Sequence, residues 1–183
     1  LGETKNADGY LMLGYDDIYS IQYFGDNLRP YWNRSGKETI VSQFQKLGYE
    51  VGGFKAYITS EVPLYSGMSS SAAIEVLLAT ILNGLYNSGS ISSLIIAQIA
   101  QYAENIYFGK PCGLMDQCAC AVGGLIHIDF KDNSNPVVEK IDNDFSQYGY
   151  SLCITDTKGT YTDLTPDYAA IPQEMKKAAE CLG

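Results

Sequence analysis

Pro63-Leu-Tyr-Ser-Gly-Met-Ser-Ser-Ser-Ala-Ala73 is the stretch on which the fold turns, a run of small hydroxyl residues between two regular elements. Before it, Phe54-Lys-Ala-Tyr-Ile-Thr-Ser-Glu-Val62 alternates and is rich in β-formers, which predicts a strand. After it, Ala72 to Tyr86 is rich in helix formers and apolar on most faces, which predicts a largely buried helix. Ser69, Ser70 and Ser71 therefore stand where the first N–H groups of that helix find no partner within it. The plainer role for such serines is to cap the helix. The alternative is a phosphate site, composed of free N–H donors, the positive end of the helix dipole and the hydroxyls, with Gly67 permitting close backbone approach.

The bulk properties narrow the classes. A chain of 183 residues suits one domain, or a domain and a half, able to bury about 70% of its unfolded surface. Its apolar runs are too short and interrupted to span a bilayer. The formal charge of −9 and the absence of any Lys/Arg cluster argue against a nucleic-acid or anionic-membrane partner. The five cysteines (Cys112, Cys118, Cys120, Cys153, Cys181) are odd in number and lack metal-ligand spacing, and His127 is the single histidine. A zinc site is not expected; buried thiols in a reducing cytoplasm are. The first residues lack the apolar core of a signal peptide, and the chain opens on Leu1 rather than methionine. A piece of a longer polypeptide is therefore expected.

Along the chain, Tyr10 to Gly14 and Ile18 to Phe24 read as short β runs. A helix is expected from about Ser35 to Leu47, stopped by Gly48. Ser88-Gly-Ser90 is a linker, Ser92 or Ser93 caps a helix from Leu94 to Tyr107, and a short helix follows from Leu114 to about Val122. Gly124 to Phe130, with His127 as a strand residue, pairs with Val137 to Ile141 across a turn at Lys131 to Pro136. Tyr150 to Thr157 reads as a further strand, and a last helix runs to about Leu182. Strands interleaved with paired helices indicate an α+β domain, taken as one unit over residues 1–183. Neither the dinucleotide Gly-x-Gly-x-x-Gly pattern nor Gly-x-x-x-x-Gly-Lys-Ser/Thr is present.

A second motif, Cys112-Gly-Leu-Met-Asp-Gln117, sets Asp116 at the start of the short helix. That acid serves either as a partner of the helix dipole or as a group that accepts a proton from, or orients, a substrate hydroxyl. Glu104 lies twelve positions earlier (116 − 104) on a largely apolar helix. A carboxylate facing that layer is costly unless paired or bound to a cation. Mg²⁺ favours one or two carboxylates, a hydroxyl and phosphate oxygens, so Ser71 with Glu104 forms a candidate metal pair. The other reading of Glu104 is a solvated helix face.

Together, Pro63…Gly67-Met-Ser-Ser-Ser-Ala-Ala73 and Ala103-Glu-Asn…Pro111-Cys-Gly-Leu-Met-Asp-Gln117 strongly resemble the galactokinases of the GHMP kinase superfamily. The first run marks the superfamily and the second is more specific. The likeness covers residues from about Gly48 onward, with residues 1–47 weakly matched. It implies an α+β GHMP N-terminal-type fold, a sheet covered by helices. It also implies transfer of the ATP γ-phosphoryl group, with Mg²⁺, to the anomeric hydroxyl of galactose. Carried over by position, Tyr65, Ser66, Gly67, Met68, Ser69, Ser70 and Ser71 would wrap the ATP phosphates, with Trp32 at the adenine pocket. Ser71 and Glu104 would hold the metal, Asp116 would be the catalytic base or orienting group, and Gly113, Asp116 and Tyr168 would contact the sugar. Tyr161 is a neighbouring candidate for the last of these.

Three departures stand out. The family's N-terminal Gly-Arg-x-Asn-x-x-Gly-Glu-His-x-Asp signature is not found, which removes a cation expected beside the aspartate. The C-terminal glycine-rich motif is also missing, and Tyr65 replaces a glycine usual in the phosphate loop. The polypeptide is thus expected to be the central part of a galactokinase, lacking a C-terminal domain and inactive alone. A non-catalytic ATP and sugar sensor, or another small-molecule kinase of the superfamily, are the alternatives.

Overall fold

The computed structural model describes residues 9–13, 21–23, 40–58, 67–107, 109, 111–155 and 165–182. Strands β1 (Gly9–Leu13), β2 (Ile21–Tyr23) and β3 (Phe54–Ile58) form an antiparallel sheet in the order β2-β1-β3. Its register pairs Leu11 with Tyr23 on one side and with Ala56 on the other. The expected strand over 54–62 is present as far as Ile58, and 59–62 lie outside the described residues. Between β2 and β3, helix α1 (Ile40–Lys46) buries Ile40, Val41 and Phe44. Gly48 follows at a φ of +80°, a left-handed conformation that glycine adopts without a Cβ clash and that ends the helix as expected.

The core lies where α1 meets the two long apolar helices, α2 (Ser70–Tyr86) and α3 (Ser93–Tyr102). Leu78, Leu82, Ile96 and Ile99 fill it with Phe44, whose ring meets Tyr49 edge-on at a centroid distance of 5.9 Å. Each such side chain contributes about 1.5–3 kcal/mol by leaving water. Phe54 of β3 packs on the same cluster, and the Tyr86 hydroxyl donates to the Gly53 carbonyl, so the sheet joins the helical layer through β3. A second cluster links Ala97 of α3, Leu114 and Cys118 with Ile126, Ile128 and Val138. The last three belong to an antiparallel hairpin of β4 (Leu125–Asp129) and β5 (Val137–Ile141), and Cys118 to helix α4 (Met115–Val122). His127 is an exposed strand residue facing Glu139 across that hairpin, as the alternating pattern implied.

The architecture is α+β, as expected. Two local expectations fail. Helix α3 does not continue regularly to Tyr107; from Ala103 to Tyr107 it opens into a π turn. Tyr150 to Thr155 forms no strand. Alternation puts Tyr150, Leu152 and Ile154 on one side, yet all three are exposed, Leu152 to 85%. A strand needs a neighbour for its N–H and C=O groups; none pairs with this run among the described residues. A short 3₁₀ turn (Phe145–Tyr148) precedes it, and helix α5 (Thr165–Leu182) closes the chain.

The turn joining α2 to α3 is anchored by Asn83, with Ser92 capping α3 by accepting the Ile95 N–H at 3.4 Å as expected. Asn83, buried near the end of α2, donates through Nδ2 to the Ile91 carbonyl and accepts the Ile91 N–H on Oδ1, both at 3.1 Å. These two bonds fix where α3 begins. Asn83→Ala leaves both buried Ile91 groups unpaired and is expected to cost about 1–3 kcal/mol for each. Urea unfolding of the variant measures the loss; a midpoint equal to that of the parent would contradict this account of the turn.

Candidate functional site

The serine turn enters α2 through two left-handed residues, Gly67 (φ 75°) and Ser69 (φ 53°, ψ 46°). For a serine that conformation is strained, and strain of this kind is held only where surrounding contacts over-determine it. The contact here is a hydrogen bond of 2.5 Å from Ser69 Oγ to Asp116 Oδ2, joining residues 47 positions apart. Ser69 occupies the N-cap position without using its side chain as a cap. The capping reading of that serine is thereby corrected: its hydroxyl is turned to donate to Asp116, and its oxygen accepts no N–H of the first turn. The Ala73 N–H bonds the Ser69 carbonyl at 3.0 Å, the first bond of the helix. Helix geometry leaves the N–H groups of Ser70, Ser71 and Ala72 without an intrahelical acceptor.

Two positions after Ser69, Ser71 Oγ donates to Glu104 Oε1 at 3.0 Å, across 33 positions. Glu104 sits in the π turn and is 3% exposed, so the solvated-face reading does not hold. A π turn inserts one residue into the helical ladder and re-aims the side chains it carries. Asn105, beside Glu104, uses that turn to hold the following loop. Its Oδ1 accepts the Cys112 N–H at 2.7 Å and its Nδ2 donates to the Cys112 carbonyl at 3.3 Å, which also accepts Gln101 Nε2 at 3.1 Å. The loop is thus fixed two residues before Leu114, the N-cap residue of α4, and this delivers Asp116. Gln117, next along, donates from Nε2 to Glu104 Oε2 at 2.9 Å.

Ser69, Ser71, Glu104 and Asp116 are therefore brought together as one cluster, with Gly67 and Met68 exposed at its rim and Ser70 half-buried beside it. Gly113 lies exposed in the turn before α4, with open space where a side chain would stand. Tyr168 falls on α5, and its side chain is outside the description. Trp32, Tyr65, Ser66 and the competing Tyr161 lie outside the described residues. The sequence reading missed Gln117, Asn105 and Gln101 as organisers. Their signal was present as amide side chains on otherwise apolar helices, where a buried polar group must find partners. It also missed Glu75, a second buried carboxylate one turn along α2 from Ser71.

The donor set suits a hard cation. Ser71 and Glu104 offer oxygen ligands, and among the described residues no group of three or more His, Cys, Asp or Glu side chains could hold a metal alone. Proteins commonly hold Mg²⁺ in such an incomplete way, with one or two carboxylates and the rest from phosphates and water.

Residues 37–124, the segment that contains every member of the cluster, match the family model of the GHMP kinases N terminal domain. Over those residues the chain matches a GHMP kinase N-terminal domain. A galactokinase of Streptomyces coelicolor is 34% identical over 98% of this chain and 48% of its own length. A galactokinase of Thermotoga petrophila is 31% identical over 79% of this chain and 40% of its own length. One of Pyrococcus furiosus is 43% identical over 51% of this chain and 26% of its own. The chain spans less than half the length of these relatives. No helix among the described residues is long and apolar enough to cross a membrane.

Cys112 lies half-buried beside the Glu104 carboxylate. Burial, and then the Glu104 carboxylate, push its thiol up to about 12. Burial also raises Cys118 and Cys120, the latter with a further contribution from Asp116. Because the thiolate is the reactive form, Cys112 is expected to resist iodoacetamide at neutral pH while the exposed Cys153 and Cys181 react. Removing the neighbouring anion stabilises the thiolate, so Glu104→Gln shifts the labelling profile of Cys112 to lower pH. Peptide-level mass spectrometry across a pH series reads this, and an unshifted profile would contradict the assignment.

Proposed function

We propose that this chain supplies the phosphate-holding and hydroxyl-activating part of a galactokinase, transferring the γ-phosphoryl group of ATP to the anomeric hydroxyl of galactose. The observation that carries the reading is the convergence of two distant motifs, Ser69 on Asp116 and Ser71 on Glu104, at the N-terminus of one helix. The GHMP domain match and relatives named galactokinase support the choice of chemistry.

In this scheme the N–H groups of Ser70, Ser71 and Ala72 and the positive end of the α2 dipole receive the phosphate oxygens. Asp116 orients the sugar hydroxyl and accepts its proton as the oxygen attacks the γ-phosphorus. The bond to the β-phosphate oxygen breaks and ADP leaves with the electron pair. Ser71 and Glu104 hold Mg²⁺, which when bound neutralises phosphate charge. Most of the rate gain then comes from positioning, which the buried hydrogen-bonded cluster provides. Gly113 and Tyr168 against the sugar, Tyr65 to Met68 around the phosphates and Trp32 against adenine complete the proposal. A reducing cytoplasm is the proposed setting, and the free thiols suit it.

Asp116→Asn in the full-length protein is expected to lower kcat about 10²–10⁴-fold with ATP binding unchanged. Ser71→Ala and Glu104→Gln are expected to raise the Mg²⁺ concentration for half-maximal rate about 10-fold or more. A coupled assay for ADP release with galactose, beside calorimetric titration of Mg–ATP, checks both. Full turnover by Asp116→Asn would remove that residue from its role, and binding by the parent protein without turnover would assign the site to a ligand sensor.

A further inference from the structure

Gln117 takes no part in the proton transfer above, yet it is among the most buried side chains of the molecule, 1% exposed. Its neighbours fix the orientation of its amide. Nε2 has two hydrogens; it donates to Glu104 Oε2 at 2.9 Å and approaches Cys112 Sγ at 3.6 Å. Turning the amide over would set Oε1 against the carboxylate and exchange a charge-assisted bond for repulsion between two acceptors. Oε1 consequently has no hydrogen-bond partner among the described residues. Packing alone does not require this arrangement, because a methionine of similar length fills the space with no orphaned acceptor.

The Glu104 carboxylate is thus gripped on both oxygens, Oε1 by Ser71 and Oε2 by Gln117. Without the Gln117 bond, Oε2 loses a donor that aligns the carboxylate plane with Ser71. We infer that Gln117 is a positioning residue that fixes the Glu104 carboxylate beside Ser71 and thereby sets the affinity of that pair for a divalent cation. The inference rests on the reading that Ser71 and Glu104 hold such a cation. Partners of this outer kind orient a ligand without touching the metal, and their loss weakens binding through misalignment.

Mn²⁺ binding to the full-length protein in the presence of ADP, followed by the electron paramagnetic resonance of free Mn²⁺, reads the pair without turnover. Gln117→Met is expected to weaken Mn²⁺ about 10–100-fold and to lower the melting temperature, since the buried Glu104 carboxylate loses a donor. Gln117→Asn, one methylene too short to reach Oε2, is expected to weaken it in the same direction. Parent-like Mn²⁺ affinity in Gln117→Met, with a loss in Glu104→Gln, overturns the positioning role while sparing the cation site. Parent-like affinity in Glu104→Gln overturns the cation reading itself. Should Gln117→Met fail to fold, Gln117→Asn decides by the same criterion.

Discussion

Burying the Glu104 carboxylate between three helices imposes the constraint on which the remaining arrangement depends. An ionised carboxylate at 3% exposure is tolerable only if its oxygens are hydrogen-bonded. Glu104 draws one donor from α2 and one from α4 while itself standing at the end of α3. Satisfying a single charge therefore fixes three elements against each other. The apolar clusters around it supply most of the stability, but they are non-directional and would tolerate some sliding of helix on helix. The carboxylate does not, because a hydrogen bond lost there leaves a buried charge short of a donor.

Polar staples upstream deliver Glu104 and Asp116 to their places. Asn83 fixes the first turn of α3 by holding both backbone groups of Ile91, and Asn105 with Gln101 holds the backbone of Cys112 at the other end. Between these anchors α3 is a plain apolar rod. The π turn is the one irregularity in it, and it falls where Glu104 and Asn105 must face different partners. Irregular helix geometry at a site of this kind is a common use of the π turn.

These relations explain what could be read from the sequence. The α2 helix, the hairpin around His127 and the serine turn were legible because periodicity, turn residues and hydroxyls before an apolar run are local signals. The pairing of Ser71 with Glu104 was legible because a carboxylate on an apolar helix asks for a partner and the resemblance named one. The role of Gln117 was not, since an amide beside an acidic motif has no local feature that reveals which carboxylate it will meet. Tyr150 to Thr155 shows the opposite failure. Its alternation is a good strand pattern, but a strand is completed by a neighbour, and periodicity within one segment cannot supply one.

The hydrogen count at the serine turn decides which donors face an anion. A serine hydroxyl carries one hydrogen, and Ser69 and Ser71 have given theirs to Asp116 and Glu104. What remains at the turn is the Ser70 hydroxyl and the main chain, the N–H groups at the start of α2, supported by the helix dipole. This suits a chain of net charge −9. In the proposed scheme it would receive a polyanion through fixed neutral dipoles at one point rather than through a basic surface, with the adjacent carboxylates hydrogen-bonded by the same serines. The strained backbone of Ser69 is the geometric consequence. Its carbonyl starts the helix, its hydroxyl reaches across to Asp116, and the left-handed turn lets one residue do both.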